Sequence, residues 1–210
     1  MELTPEGRKA LDKILQLAKD AGIDIKGGKI RRTSSRFCLG VEHGDYNGTE
    51  LFGVGTDRFI WLAYRPNGSN KVRLFSGNFP NDGVIEFELG NVPEPKSAEI
   101  AQTWGRFAYG VEYILRREGY KLSQGINGVL YGNIPGGGMS RSASLTLNLI
   151  LSLFDANAIE VEEKIKNETK ATIRLIPMEG TEIYDQTAGA GKCMVTGEPS
   201  PQRVVFAIAY

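Results

Sequence analysis

From Gly132 to Leu145 the chain reads Gly-Asn-Ile-Pro-Gly-Gly-Gly-Met-Ser-Arg-Ser-Ala-Ser-Leu, a strand exit, a glycine bend and the start of a helix. Lacking side chains, Gly136, Gly137 and Gly138 let the backbone come close to an anion. The serines that follow stand where the first turn of a helix has unpaired N–H groups pointing outward. A triphosphate has the size and charge such a cradle suits. A bare glycine triplet serves equally well as a tight connection with no ligand. The serines weigh against that reading, because a helix start needs one capping hydroxyl and Ser140, Ser142 and Ser144 supply three. That is enough to cap the helix, hydrogen-bond phosphate and offer Mg²⁺ an oxygen.

The run from Pro135 to Leu145 resembles the second motif of the GHMP kinases in its galactokinase form, a proline and glycines followed by Gly-Leu-Ser-Ser-Ser-Ala. Met139 replaces the usual Leu, and Arg141 replaces a Ser. A guanidinium at that place either pairs with phosphate or crowds it.

A dense polar cluster lies earlier, Arg36 followed by Glu42-His43-Gly44-Asp45-Tyr46-Asn47-Gly48. A cation, two carboxylates, an imidazole and an amide gathered between strands suit a polyhydroxylated ligand. Asp, Asn and Gly also make ordinary solvated turns. The order of the residues resembles the galactokinase signature Gly-Glu-His-x-Asp-Tyr-Asn-Gly after an Arg-containing strand, with Val41 in place of the first Gly. The resemblance implies that Glu42, His43 and Asp45, with Tyr46 and Asn47 beside them, bind sugar hydroxyls. It implies that Arg36 stabilises a transferring phosphoryl group, as the catalytic residue of this half. For ATP it implies Gly136, Gly137, Gly138, Ser140, Arg141 and Ser142, with Ser142 the Mg²⁺ ligand.

With 210 residues, 25 Lys and Arg against 25 Asp and Glu, and 41% hydrophobic residues, the chain can bury a substantial core. Its formal neutrality argues against a nucleic-acid coat or a membrane-surface protein. Two cysteines, Cys38 and Cys193, are too few for a disulfide framework or a cysteine zinc site, which points to a reducing cytoplasm. No signal peptide and no bilayer-length apolar run is expected.

The periodicity predicts a helix after Thr4-Pro5 to Asp20, with Leu11, Ile14, Leu15 and Ala18 on its packing face. Short β runs follow at 37–41, 59–64, 72–75 and 84–89, separated by turn residues, which predicts a largely antiparallel sheet. Ser97 to Glu118 has apolar residues at helical spacing, and its Trp-x-x-Phe-x-x-Gly-Val resembles a galactokinase helix. Gly125 to Ile134 predicts the strand feeding the glycine bend. From Leu145 to Phe154 the apolar residues fit a strand or a buried helix, and the resemblance selects helix.

The galactokinase resemblance ends near Asn157. The Mg²⁺-holding Glu, the Cys-Gly-x-Met-Asp-Gln segment with the catalytic Asp, and the second glycine-rich domain of that family have no match here. Tyr184-Asp185-Gln186 only echoes the Asp-Gln pair. Glu160 to Pro177 and Gly191 to Tyr210, including the terminal Tyr, resemble the C-terminus of a prolyl-tRNA synthetase. From the residues themselves the tail is a charged helix, a strand around 172–176, a polar loop and a hairpin near Gly197-Glu198-Pro199.

The expectation is therefore an α+β fold, a mixed sheet with helices on one side like the N-terminal domain of GHMP kinases over 1–157, plus a small α/β tail over 158–210. By resemblance the first part phosphorylates galactose or a related sugar at its anomeric hydroxyl with Mg²⁺ and ATP, impaired by the missing segments. The alternatives are a sugar-binding module without turnover, or a chimera whose tail contacts tRNA. Uncovered apolar surface would allow self-association.

Overall fold

A computed structural model of the protein describes residues 4–40, 48, 52–98, 100, 103–135, 138–159, 171–175, 190–192, 199–200 and 205–208. The chain divides into two compact units, Met1–Asn157 and Ala158–Tyr210.

In the first unit the order is α1 (Pro5–Asp20), β1 (Lys29–Gly40), β2 (Phe52–Pro66), β3 (Lys71–Ser76), a single 3-10 turn (Pro80–Asp82), β4 (Val84–Glu88), α2 (Gly105–Arg117), β5 (Ile126–Gly132) and α3 (Arg141–Ala156). One five-stranded sheet runs β1-β2-β5-β3-β4. All its pairings are antiparallel except β3 with β5, which makes the sheet mixed. The expected α+β architecture is present.

Strand β2, between β1 and β5, is buried on both faces from Ile60 to Tyr64, so its apolar residues run on without the alternation of a half-exposed strand. Trp61 and Ala63, with Val129 of β5, meet Ala10, Ile14 and Ala18 of α1. The opposite face carries Leu62 and Leu74 around Gly128, where an added Cβ would stand 2.9 Å and 2.8 Å from their methyl carbons. Helices α2 and α3 cover this side: Phe87 of β4 meets the Tyr109 ring edge-on at 5.1 Å, and α3 lies on β1 and β2. Thus α2 and α3 form the helical side that was expected, and α1 covers the other.

Helix α1 begins where the sequence predicts, with Pro5 in its first turn and the Thr4 hydroxyl accepting the Gly7 N–H at 3.2 Å. Its inward face differs from the expected one. Gly7, Ala10, Ile14 and Ala18 are buried, whereas Leu15 is 51% exposed. Small residues at i and i+4 bring the helix close to the sheet, and Leu15 lies one helical step round from that line. Helix α2 starts at Gly105, later than the predicted Ser97. The Asp82 carboxylate accepts the Trp104 N–H at 3.1 Å, giving this helix a capping acceptor from a neighbouring turn. The ambiguous stretch after Leu145 is helical, within α3.

In the second unit β6 (Ala171–Leu175) pairs antiparallel with β9 (Val205–Ile208), and β7 (Gly191–Lys192) with β8 (Pro199–Ser200). Of the predicted turn, Pro199 lies in β8 paired with Lys192, and Gly197 and Glu198 lie outside the described residues. The predicted charged helix after Glu160, and the Tyr184-Asp185-Gln186 and Cys193 positions, lie outside the described residues.

At the C-terminal end of α3 the Tyr64 hydroxyl donates to Asp155 Oδ2 at 2.9 Å, and Lys29 Nζ donates to Asp155 Oδ1 at 2.8 Å. Burial raises the pKa of Tyr64, with Arg31 opposing and Asp155 adding. The hydrogen bond to Asp155 raises that of Lys29, against partial burial. Both groups hold their protons more tightly folded than unfolded, so their contribution is complete below about pH 10 and is lost as pH rises through the folded values. Thermal unfolding should therefore change little with these groups from pH 7 to 9 and fall above pH 10, and Tyr64→Phe should flatten part of that alkaline decline.

Candidate sugar and phosphate site

Helix α3 crosses the sheet antiparallel to β1, and three contacts set the alignment. Lys29 meets Asp155 at 2.8 Å, the Arg31 carbonyl accepts from Asn148 Nδ2 at 3.4 Å, and Thr33 meets Ser144. Moving up β1 is thus moving down α3 toward its start. Beyond Thr33 the strand continues to Ser35 and Arg36, roughly 7–10 Å on at a strand's rise per residue. Beyond Ser144 the helix runs back to Ser140, about 6 Å at 1.5 Å per residue. The β1–β2 register shifts between Ser34 and Arg36, and Arg36 is exposed whereas Thr33 and Ser35 are buried.

The Thr33–Ser144 contact is reciprocal and buried. Thr33 Oγ1 donates to the Ser144 carbonyl at 2.8 Å, and the Ser144 hydroxyl lies 2.9 Å from Thr33 Oγ1 and 3.1 Å from the Thr33 carbonyl. Asn148 Nδ2 also donates to the Ile60 carbonyl at 3.0 Å, and Ser152 Oγ to Asn148 Oδ1 at 3.4 Å. Ser144, Asn148 and Ser152 are at most 4% exposed and recur every fourth residue, a polar stripe turned inward on an otherwise apolar helix.

At the head of α3, Gly138 has φ of 73° and Ser140 φ of 49°, both left-handed. Ser140 occupies the N-cap position without a side-chain capping bond. Arg141 and Ser142 are exposed, and the Arg141 guanidinium carbon lies 5.7 Å from the Phe79 ring centroid. This arrangement parks the cation beside the turn after β3.

Of the expected site residues Arg36 is exposed on β1, and Ser140, Arg141 and Ser142 stand at the head of α3, with Gly138 on the bend before it. Glu42, His43, Asp45, Tyr46, Asn47, Gly136 and Gly137 lie outside the described residues. Ser144, counted in the sequence among three hydroxyls free for capping, phosphate or metal, is instead bonded to Thr33. The buried polar stripe was missed as a unit. Its signal was the four-residue spacing of small polar side chains in an apolar helix.

For Mg²⁺ the donor set is sparse. Ser142 offers one neutral hydroxyl, and among the described residues no group of three His, Cys, Asp or Glu could hold a metal. Such a set fits an ion carried in on a polyphosphate, since Mg²⁺ favours carboxylate and phosphate oxygens and keeps several waters. A cleft of about 330 Å³, lined by Lys71, Glu86, Phe87 and Tyr109 among others, lies at the β4 edge of the sheet, and none of the described site residues lines it. No helix among the described residues is long and apolar enough to cross a membrane.

Galactokinase of Lactococcus lactis subsp. cremoris is 32% identical over 162 residues, 77% of this chain and 40% of the relative. That of Streptococcus suis is 35% identical over 133 residues, 61% of this chain and 33% of the relative. The crystal structure of Lactococcus lactis galactokinase complexed with galactose has a TM-score of 0.61 at 30% identity, over 73% of this chain and 39% of that one. The first unit is galactokinase-like. Methanococcus jannaschii mevalonate kinase, at 15% identity and a TM-score of 0.53 over 66% of this chain and 43% of that one, shares the fold. The sheet and helices of the galactokinase-like unit are thus those of the GHMP kinases. Residues 146–210 match the family of the prolyl-tRNA synthetase C-terminus, in agreement with the tail resemblance. That match opens inside α3, so the two likenesses overlap on this helix. The chain spans 28–43% of the length of the curated galactokinases it matches.

In the galactokinase-like unit the left-handed bend should tolerate side chains poorly. Gly138→Ala is expected to cost about 1–2 kcal/mol, read as a lower urea midpoint with an unchanged slope.

Proposed function

We propose that Met1–Asn157 is the sugar- and nucleotide-binding half of a galactokinase-like sugar kinase, working with ATP and Mg²⁺. The substrate is galactose or a related sugar, phosphorylated at the anomeric hydroxyl in a chain that retains the whole machinery. The observation that supports this reading is the head of α3, where Gly138 and Ser140 are left-handed and the helix start has no side-chain cap, in a unit that resembles the structure of Lactococcus lactis galactokinase complexed with galactose.

In this reading Glu42, His43 and Asp45, flanked by Tyr46 and Asn47, hold the sugar hydroxyls, and Arg36 faces the transferring phosphoryl group. Backbone N–H groups at Gly136, Gly137 and Gly138, with Ser140, Arg141 and Ser142, hold the phosphates of ATP. Ser142 supplies the protein oxygen to Mg²⁺, which when bound would neutralise charge on the phosphates. Phosphoryl transfer depends on positioning and on electrostatic stabilisation, so a binding half can keep affinity without rate. We propose also that turnover by these residues alone is impaired, because none of them matches the family's catalytic-Asp segment.

A binding module without turnover is the second reading, favoured by the match of residues 146–210 to a different family. The Cys38 thiol, free among the described residues, accords with a cytoplasmic setting. Phe37, Leu39, Phe52 and Val54, each 44–69% exposed along the outer part of the β1–β2 ribbon, are the apolar surface through which copies would associate.

Thermal unfolding of the purified chain, alone and with galactose plus MgATP, tests the reading. At ligand about 100-fold above Kd the native state gains about 2.7 kcal/mol, so a cooperative transition should move upward by several degrees. A transition indifferent to both ligands overturns it. Galactose-dependent ADP release should stay orders of magnitude below the roughly 1–100 s⁻¹ typical of kinases, and release within that range would refute the impairment. Filter binding of proline tRNA should stay flat even at low salt, where phosphate contacts are strongest.

A further inference from the structure

The cleft of about 330 Å³ at the β4 edge of the sheet has a chemistry of its own. Its floor is apolar: Phe87 is 8% exposed and meets the Tyr109 ring edge-on at 5.1 Å. Its mouth is charged, with Glu86 and Glu88 of β4 beside Lys71 of β3. Glu86 is engaged, since Arg73 Nε donates to it at 2.8 Å. Glu88 is held less closely. Lys71 Nζ stands 4.0 Å from its Oε1 and 3.7 Å from Glu86, beyond the roughly 2.7–2.9 Å of a charge-assisted hydrogen bond.

The strand edge adds an acceptor. The Asn70 carbonyl accepts the Leu89 N–H at 2.8 Å, one step beyond the Lys71–Glu88 pair of the ladder. Alternation in an antiparallel pair then turns the backbone groups of Glu88 and Glu86 away from β3. The Glu88 carbonyl accordingly accepts the Asn91 N–H from the loop at 3.0 Å. That of Glu86 faces the open edge, because β4 is the last strand of the sheet among the described residues.

A further charge lies behind the Gly90 turn. Glu112 is 1% exposed, its Oε1 accepts the Gly90 N–H at 2.7 Å and stands 3.4 Å from Arg116 Nε, and its Oε2 is buried without a hydrogen-bond partner. A neutral Gln would accept the same N–H, so what the carboxylate adds at this place is charge.

Independently of the function argued above, we propose that this cleft binds a small organic cation, a primary ammonium on an aromatic or aliphatic stem. An ammonium carries three N–H donors and no acceptor. The Glu88 carboxylate, the Glu86 carbonyl and the Asn91 side-chain oxygen offer it three acceptors at the rim. The Phe87–Tyr109 floor takes the stem, and aromatic rings attract a cation in addition. Glu112 does not touch the ligand; its buried charge favours a cation across the low-dielectric wall of the cleft.

The test is calorimetric titration of the full chain with 2-phenylethylammonium, and with 2-phenylethanol as a control of similar shape without the charge. The ammonium should bind saturably at one site, at least about tenfold more tightly than the alcohol. Glu88→Gln should weaken it about tenfold and Glu112→Gln about threefold. Glu86→Gln should weaken it less than about twofold, because Arg73 already holds that carboxylate and the ligand uses the backbone carbonyl. The Glu88 side chain is 49% exposed, so its variant keeps the fold and carries the test if Glu112→Gln does not fold. Binding unchanged in Glu88→Gln, equal affinity for the alcohol, or saturation by neither probe overturns the proposal. Each of these outcomes leaves the sugar-kinase reading in place, since galactose and MgATP test that reading and should not displace the ammonium.

Discussion

A nearly apolar helix laid across a nearly apolar sheet has many acceptable positions, and this protein restricts them with three buried polar side chains. Ser144, Asn148 and Ser152 would each cost about 1–3 kcal/mol if buried without partners. Ser152 bonds Asn148 within the helix, and the partners of Ser144 and Asn148, Thr33 and the carbonyls of Arg31 and Ile60, sit at set points on β1 and β2. The stripe therefore turns a non-directional attraction into a defined register. The uncapped head of α3 inherits that register, with the left-handed bend at Gly138 just before it. At the other end of the helix, Asp155 bonded to Tyr64 and Lys29 closes the same alignment.

The sheet that receives α3 is buried on two sides, and this explains both its strength and its composition. From Ile60 to Tyr64 successive side chains go to opposite layers, Trp61 and Ala63 toward α1, Leu62 toward the α2–α3 side. Gly128 leaves room for Leu62 and Leu74 to meet over β5, and Gly7, Ala10 and Ala18 let α1 approach the other face. Beyond Ile60 toward the ribbon tip, β2 pairs only with β1 among the described residues, and its apolar residues there are exposed. The same strand is thus core at one end and open surface at the other.

Two family likenesses meet in the chain. The galactokinase likeness covers the sheet, its helices and the glycine bend, while the prolyl-tRNA synthetase likeness takes in the second unit and reaches back to residue 146. Helix α3 lies under both. Its inward stripe belongs to the packing of the first unit, since Thr33, Ile60 and Arg31 are its partners, and Asp155 at its end bonds Tyr64 and Lys29. By its contacts the helix is part of the galactokinase-like unit, with both its head and its tail bonded to β1 or β2.

Much of this was legible in the residues. Thr4-Pro5 marks the start of α1, turn residues separate the strands, and the glycine–serine run announces a bend and a helix, because each of these signals is local and acts within a few residues. The arrangement in space was not. Periodicity left 145–154 open between strand and helix, placed Leu15 on the wrong side of α1, started α2 at Ser97 and counted Ser144 among the hydroxyls free for ligand. The last three depended on a partner elsewhere in the chain: the sheet face that small residues let α1 approach, the Asp82 carboxylate that receives α2, and Thr33 for Ser144. The sequence by itself determined the elements, the motif residues and the two likenesses, since backbone preference and residue order are properties of a segment. Only the tertiary structure decided which polar groups face a ligand and which hold the frame, because that choice is made by hydrogen bonds between residues more than a hundred positions apart.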